Sequence, residues 1–117
     1  MSYAVRIYLE DEFIKYSQIL WNDSYQIDMI QKNIGASSVE AESLTDSIDA
    51  WVDDVGGFQK GNFIVGINVN DKEYKFAGNL LLIGLDMETG KSRGLTQQEI
   101  DWISCNVKIW RKPIGFL

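Results

Sequence analysis

Apolar and polar side chains alternate in several short segments of this chain, and a period of two is the pattern of a half-buried strand. The clearest such segments are residues 3–9, 63–69 and 74–77. A further segment, residues 80–85, is apolar almost throughout, which is typical of a central strand covered on both faces. The pattern therefore predicts a sheet with at least one fully buried strand.

Two segments fit both a helix and a strand. Residues 13–20 follow the polar turn at residues 10–12 directly, and such a short connection favours a hairpin partner for the first strand. Residues 44–55 carry a helical stripe and also a strand-like alternation, and the turn-forming residues 54–57 after them favour the strand. Residues 37–41 are predicted to form another short strand.

The first predicted helix covers residues 25–33. Three isoleucines at helical spacing are expected to face the core: Ile27, Ile30 and Ile34. Asp23 or Ser24 is expected to cap the first turn through a side-chain oxygen. Gly35 supplies a residue that readily adopts the left-handed conformation in which many helices end.

The second predicted helix covers residues 97–107. Thr96 and Glu99 have the spacing of a capping box, in which each side chain bonds the backbone N–H of the other residue. The inner face of this helix is expected to hold Ile100, Ile103 and Val107. The tail, residues 114–117, is apolar and is expected to pack back on the body. The chain is thus predicted to be a single α+β domain, residues 1–117, with a largely antiparallel sheet and two helices.

The composition narrows the class of protein. A chain of 117 residues with 45% hydrophobic residues suits one globular domain. The N-terminus carries three acids by residue 12 and no positive segment, so we expect no signal peptide and a cytoplasmic location. Cys105 is the only cysteine, which rules out a disulfide within the chain. Its apolar neighbours predict that it is a small buried core residue.

The chain contains no histidine. Ser-His-Asp and Cys-His hydrolysis, histidine-ligated zinc sites and general-base catalysis by histidine are therefore excluded. Carboxylate chemistry and carboxylate-bound Mg²⁺ or Ca²⁺ stay open, but no EF-hand spacing is present. We therefore predict a protein that is not an enzyme, with no catalytic residues, no metal and no cofactor.

The net charge of −6 is unevenly distributed along the chain. Residues 1–60 hold four Lys/Arg and eleven Asp/Glu, a balance of −7, whereas residues 61–117 hold seven and six, a balance of +1. This acidity argues against nucleic-acid binding through phosphate neutralisation, and it suits a partner with a basic surface. Lys108, Arg111 and Lys112 follow the predicted last helix and are interpreted as partners of its negative C-terminal dipole.

The densest acidic cluster lies within the segment at residues 44–55. Its members are Asp46, Asp49, Asp53 and Asp54. Trp51 lies among them, and tryptophan anchors binding sites disproportionately often. The residues predicted to bind a partner are therefore Asp49, Trp51, Asp53 and Asp54, although a solvated edge and turn would carry the same pattern.

Several turn and cap residues in this chain resemble a domain-of-unknown-function family of small phage, prophage and conjugative-element proteins. The residues that carry the resemblance are Ile34-Gly35, Val39-Glu40, Asp53-Asp54-Val55-Gly56, the segment GNLLLIG at 78–84 and the segment LTQQEI at 95–100. The resemblance covers roughly residues 25–103, and the chain departs from the family's pattern at residues 13–21 and 107–117. It implies a phage or mobile-element context and no catalytic residues.

These observations favour a non-enzymatic accessory protein that binds and inhibits a host or defence protein through an acidic surface. One alternative is a sponge for a nucleotide signal, for which Trp51, Lys91 and Arg93 would supply stacking and cationic contacts. Another is an immunity protein for a toxin. The expected partner has a basic surface, with no direct nucleic-acid or membrane binding, and the sequence leaves a homodimer open.

Overall fold

A computed structural model describes residues 2–55 and 59–117 of the chain. Its strands are β1 (Tyr3–Glu10), β2 (Phe13–Leu20), β3 (Val39–Ser43), β4 (Ile48–Asp53), β5 (Phe63–Val69), β6 (Lys72–Ala77), β7 (Leu80–Leu85), β8 (Ser92–Arg93), β9 (Val107–Ile109) and β10 (Gly115–Phe116). Its helices are α1 (Gln26–Ile34), which follows a 3-10 turn at Asp23–Tyr25, and α2 (Gln97–Asn106). This confirms the predicted α+β class.

The larger sheet has the strand order β2-β1-β7-β4-β3, and the short β8 pairs with the end of β7. Every neighbouring pair is antiparallel. β1 and β2 form the predicted hairpin, and its two turn residues, Asp11 and Glu12, have the positive φ angles of a tight hairpin turn. Both ambiguous segments are therefore strands, β2 at one edge of the sheet and β4 inside the other edge.

The smaller sheet is built around β5. β6 pairs along one edge of β5, while β9 and β10 pair with different parts of its other edge. The expectation that the C-terminal tail packs back on the body is confirmed by β10, which pairs Phe116 with Phe63. Residues 56 and 57 of the turn predicted at 54–57 lie outside the described residues.

The core has two parts, one on each face of the larger sheet. On one face, β7 contributes Leu80 and Leu82 to a cluster shared with the smaller sheet and α2. On the other face it contributes Leu81 and Ile83 to a cluster covered by α1. All four side chains are fully buried. The prediction of a central strand covered on both faces is thus confirmed.

α1 corrects two details of the sequence prediction. The turn before it is capped by Asn22, whose side chain accepts a hydrogen bond from the Ser24 N–H at 2.9 Å, and not by Asp23 or Ser24. Ile30 and Ile34 are buried as expected, but Ile27 in the first turn is 55% exposed. The helix ends as predicted at Gly35, which has a φ of 81°.

α2 begins at the predicted capping box and ends one residue earlier than expected. Thr96 Oγ1 accepts the Glu99 N–H at 3.1 Å, and Glu99 Oε1 accepts the Thr96 N–H at 3.0 Å. Val107 is buried, but it begins β9 and does not continue the helix. The prediction that Cys105 is buried is wrong: the thiol residue is exposed, on the outer side of a helix whose Ile100 and Ile103 face the core.

Across the described residues, no helix is long and apolar enough to cross a membrane.

Candidate functional site

The four residues predicted to bind a partner lie on β4 or just after it. Side chains alternate across a strand, and on β4 the residues Ile48, Ala50 and Val52 enter the core on the side of the smaller sheet. Asp49, Trp51 and Asp53 therefore face the α1 side. Asp54 lies in the turn that follows, where its backbone N–H donates to the Ser38 carbonyl at 3.2 Å.

Asp49 is buried, with 8% of its surface exposed. Burial raises the pKa of its carboxyl above the ordinary value of 3.8, because removal from water disfavours the charged form. On β4 it is paired with Ile83 of β7 on one side and with Ser43 of β3 on the other. The carboxylate is therefore a part of the sheet interior and not of an exposed acidic surface.

Trp51, Asp53 and Asp54 are half-buried. Trp51 packs against the cluster beneath α1, and its indole Nε1 is buried without a hydrogen-bond partner among the described residues. Asp53 Oδ1 accepts the Val55 N–H at 3.0 Å and so holds the turn after β4. These contacts give Trp51 a packing role and Asp53 a role in the turn.

The exposed acids of this region lie one strand further out. Glu40 and Glu42 on β3, together with Asp46 in the β3–β4 connection, are all exposed. We call these three residues the acidic edge. β3 is the last strand of the larger sheet, so the acidic edge lies at its border. A partner with a basic surface would meet these carboxylates before it met Asp49.

The three residues considered for a nucleotide sponge do not converge. Trp51 lies on the α1 face of the larger sheet. Arg93 lies over Gly84, whose missing side chain leaves room for the guanidinium on the opposite face. Lys91 is exposed in the loop before β8. One small ligand therefore has no common site formed by all three.

Arg93 has a structural partner, Glu99. The guanidinium donates to both carboxylate oxygens, at 2.7 and 3.1 Å, and to the Gly94 carbonyl at 3.0 Å. Burial acts to raise the pKa of Glu99, but hydrogen bonds from Arg93, from the Thr96 backbone and from Ser47 overcome it and lower the pKa to about 2. Arg93 thus joins β8 to the start of α2.

A different surface is formed by the chain after α2. β9 pairs Ile109 with Ile67 of β5, and further along the same edge β10 pairs Gly115 with Ile64. Between these pairs, five residues of the C-terminal segment span only two residues of β5. Residues 110–114 therefore bulge outward, and the Arg111 carbonyl accepts the backbone N–H of Ile14 on β2 at 2.6 Å.

The C-terminal segment from β9 to β10 and the strand β2 together expose apolar and cationic side chains. We call this set the basic–aromatic surface: Phe13, Tyr16, Lys108, Trp110, Arg111, Lys112, Ile114 and Phe116. Its apolar members are 38% to 65% exposed. Lys108 lies 5.9 Å from the ring of Trp110, and Arg111 and Lys112 lie 5.8 and 5.7 Å from the ring of Phe13. These contacts make the surface continuous across the two sheets.

Open grooves run through this surface. One of about 590 Å³ is lined by the bulge and by Glu73. A second, of about 510 Å³, lies between Tyr16 and the end of α2, where Cys105 and Lys108 line it. A smaller one is lined by Glu12, Lys112 and Phe116. Large contiguous apolar patches on a protein surface mark sites of interaction.

The three cations of the surface have no carboxylate partner in the part of the chain that the structure describes. The ion pairs there are Lys15–Glu10 and Arg93–Glu99. Lys108 lies in β9, while Arg111 and Lys112 lie in the bulge. Their interpretation as partners of the α2 dipole therefore explains little of their position, and they are free to meet an anionic group.

Within residues 2–55 and 59–117, no group of three or more Cys, Asp and Glu side chains is placed to hold a metal ion. The basic–aromatic surface could not be recognised in the sequence, because it forms from residues almost one hundred positions apart. The alternation of Val107, Lys108 and Ile109 is the signal that could have revealed β9.

Comparison of this chain with known protein families, with curated proteins and with solved structures gives no match.

Proposed function

We propose that this chain is a non-enzymatic binding protein that inhibits another protein by covering part of its surface. The observation that carries the proposal is the basic–aromatic surface, where exposed aromatic side chains alternate with cations that have no acidic partner. Tryptophan, tyrosine and arginine dominate the energetics of protein interfaces, and this surface offers Trp110, Tyr16 and Arg111.

The proposed context is a phage or other mobile element, which the resemblance of residues 25–103 supports. In that context, the bound protein would be a host or defence protein. Inhibition by occupancy needs no catalytic group, which agrees with a chain that lacks histidine.

A second candidate surface is the acidic edge, favoured by the exposure of Glu40, Glu42 and Asp46 at a free border of the larger sheet. It would receive a basic partner. The buried Asp49 would take no part in such an interface, whereas the half-buried Asp53 would lie at its margin.

A photo-crosslinking amino acid at a single position distinguishes these surfaces. The positions are Phe116 on the basic–aromatic surface, Glu42 on the acidic edge, and Met87 as a control that is equally exposed, at 67% against 65% for Phe116. The three variants are expressed in cells that carry the natural partner, and crosslinked products are identified by mass spectrometry.

A discrete product from position 116 alone supports the proposed surface, and a product from position 42 alone supports the acidic edge. The captured protein is then purified and its activity measured with and without the wild-type chain. Equal products from all three positions, or an unchanged activity of the captured protein, would contradict the proposed function.

A further inference from the structure

β2 has an open backbone edge that ends at the basic–aromatic surface. In an antiparallel pair, the N–H and C=O groups of successive residues point alternately toward the partner strand and away from it. The Ile14 N–H points away from β1 and donates to the Arg111 carbonyl. The Trp21 N–H points the other way and donates to the carbonyl of Ser2, just before β1. The backbone N–H and C=O groups of the even-numbered residues of β2 therefore point outward, away from β1.

Three of these outward residues, Tyr16, Gln18 and Leu20, make no backbone hydrogen bond beyond β1 within the described part of the chain. Their side chains are also exposed, Tyr16 and Leu20 each at 57%. A free strand edge with apolar side chains readily accepts another strand. The edge presents the hydrogen-bonding groups that an extended peptide would complete.

We propose that an extended acidic peptide segment of the partner protein adds as a strand to β2 along Tyr16–Leu20 and places a carboxylate against Lys108 and Arg111. This inference rests on the proposed function and specifies how the surface binds. Main-chain hydrogen bonds would give the peptide its affinity, and the groove beside Tyr16 would select its side chains.

Charge complementarity favours an acidic segment. Lys108 and Arg111 both line the groove of about 510 Å³ beside Tyr16, and no carboxylate pairs with either in the described residues. The bulge closes one end of the open edge, because the Arg111 carbonyl already accepts the hydrogen bond of the Ile14 N–H. The added strand is therefore limited to about three to five residues, which is within the usual length of a strand.

A peptide fits this surface better than single-stranded nucleic acid, although aromatic and cationic residues also suit the latter. Glu12 and Glu73 line the neighbouring grooves, and the chain carries a net charge of −6. A single carboxylate can approach Arg111 between these acids, whereas a continuous phosphate backbone would be repelled by them.

The test begins with a random-peptide display library selected against the wild-type chain. The selected peptides are expected to contain apolar residues alternating with others and at least one Asp or Glu. With the strongest peptide bound, hydrogen exchange at the amides of Tyr16, Gln18 and Leu20 is expected to slow, while exchange at Lys15 and Ser17, which already bond β1, is unchanged.

Proline at an outward position removes one hydrogen bond to the peptide and none to β1. Gln18→Pro is therefore expected to leave the chain folded and to lower its affinity for the peptide by about tenfold or more, the effect of losing roughly 1.4 kcal/mol of binding free energy. Gln18→Thr is the matched control and should bind normally. Ser17→Pro removes a backbone hydrogen bond between β2 and β1, so it serves as the reference for a destabilised chain in the same assay.

The outcomes separate the two proposals. If Arg111→Glu abolishes peptide binding and Gln18→Pro does not, strand addition is overturned and the proposed surface stands. If neither variant weakens the peptide, both are overturned. The inference is also overturned if an oligothymidylate binds more tightly than any peptide, because the edge then binds nucleic acid. It is overturned as well if the chain sediments as a dimer that Gln18→Pro converts to a monomer, because the edge then binds a second copy of the chain.

Discussion

Asp49 is a carboxyl group in a position that the sheet buries. We expect Asp49→Asn to raise the free energy of unfolding at neutral pH, because the amide removes a charge that burial disfavours. The folded-state pKa lies above the ordinary 3.8, so the folded state keeps its proton to higher pH than the unfolded state. The free energy of unfolding of the wild type therefore falls as pH rises from the ordinary pKa of 3.8 through the raised folded-state pKa. Over the same pH range the variant becomes more stable relative to the wild type.

Urea denaturation at acidic and at neutral pH measures this difference. Asp53→Asn is the matched control, since its amide oxygen can still accept the Val55 N–H and its side chain is only half-buried. A loss of stability in Asp49→Asn would show that the carboxylate has a polar partner and would contradict the expectation that its buried charge is unfavourable.

Gly84 is the residue that makes the Arg93–Glu99 ion pair fit. A Cβ at this position would lie 2.9 Å from Arg93 Cζ and still closer to Nη1, so Gly84→Ala must displace the guanidinium. We expect the free energy of unfolding to fall by about 1–3 kcal/mol, the usual cost of overpacking a close contact. Chemical denaturation measures this loss.

Gly115→Ala is the control for Gly84→Ala, because its Cβ would meet no atom within 4 Å. The same experiment in an Arg93→Ala background tests the cause. There the added methyl group should cost much less, and equal losses in the two backgrounds would show that Arg93 is not what Gly84 accommodates.

At the scale of elements, the start of α2 depends on a carboxylate that must stay charged. The folded-state pKa of Glu99 is about 2, below the ordinary 4.5. Its stabilising contribution is therefore complete above about pH 4.5 and is lost as the pH falls toward 2. We expect Glu99→Gln to flatten the dependence of unfolding free energy on pH in this range.

Denaturation midpoints measured across that pH range provide the comparison. Arg93→Gln should flatten the curve as well, because it removes the hydrogen bonds from Arg93 that do most to lower the pKa of Glu99. If both variants keep the slope of the wild type, other carboxylates cause it and the role given to this ion pair is wrong.

Elements whose pattern is local could be predicted from sequence. The continuous apolar run Leu80–Leu85 predicts a buried strand without reference to the rest of the fold. The spacing of Thr96 and Glu99 alone predicts the start of a helix. The burial of Asp49 could not be predicted in this way, because an acid on the second face of a strand is exposed or buried according to what covers that face.

The candidate site depended on contacts that sequence spacing does not reveal. The sequence pattern places Val107 in the preceding helix because it continues the apolar face of that helix, and only its pairing with Val69 makes it part of β9. Phe13 and Arg111 approach one another through the packing of the two sheets. Long-range pairing of this kind overrides the local pattern.

At the scale of the whole molecule, the C-terminal segment closes one edge of the smaller sheet. Ile114 and Leu117 donate backbone hydrogen bonds to Ile64 and Asn62, and Leu117 accepts one from Gly61. Removal of residues 113–117 is expected to lower the free energy of unfolding by about 2–4 kcal/mol, since each such bond contributes about 1 kcal/mol and Gly66 loses the cover of Ile114.

Thermal and urea denaturation of the truncated chain measure this loss. Phe116→Ser in the full chain is the control, because that side chain is 65% exposed and its loss leaves the backbone pairs in place. A truncated chain as stable as the wild type would show that β10 adds nothing to the fold.

The bulge at residues 110–114 presents exposed side chains between two segments that hold the register of the smaller sheet. β9 and β10 fix both of its ends on β5, so the exposed side chains of Arg111 and Lys112 can change while both pairs stay in place. Evolution, or a protein engineer, can thus retarget this loop while the scaffold keeps its fold. In this respect the bulge is comparable to a hypervariable loop on a constant framework.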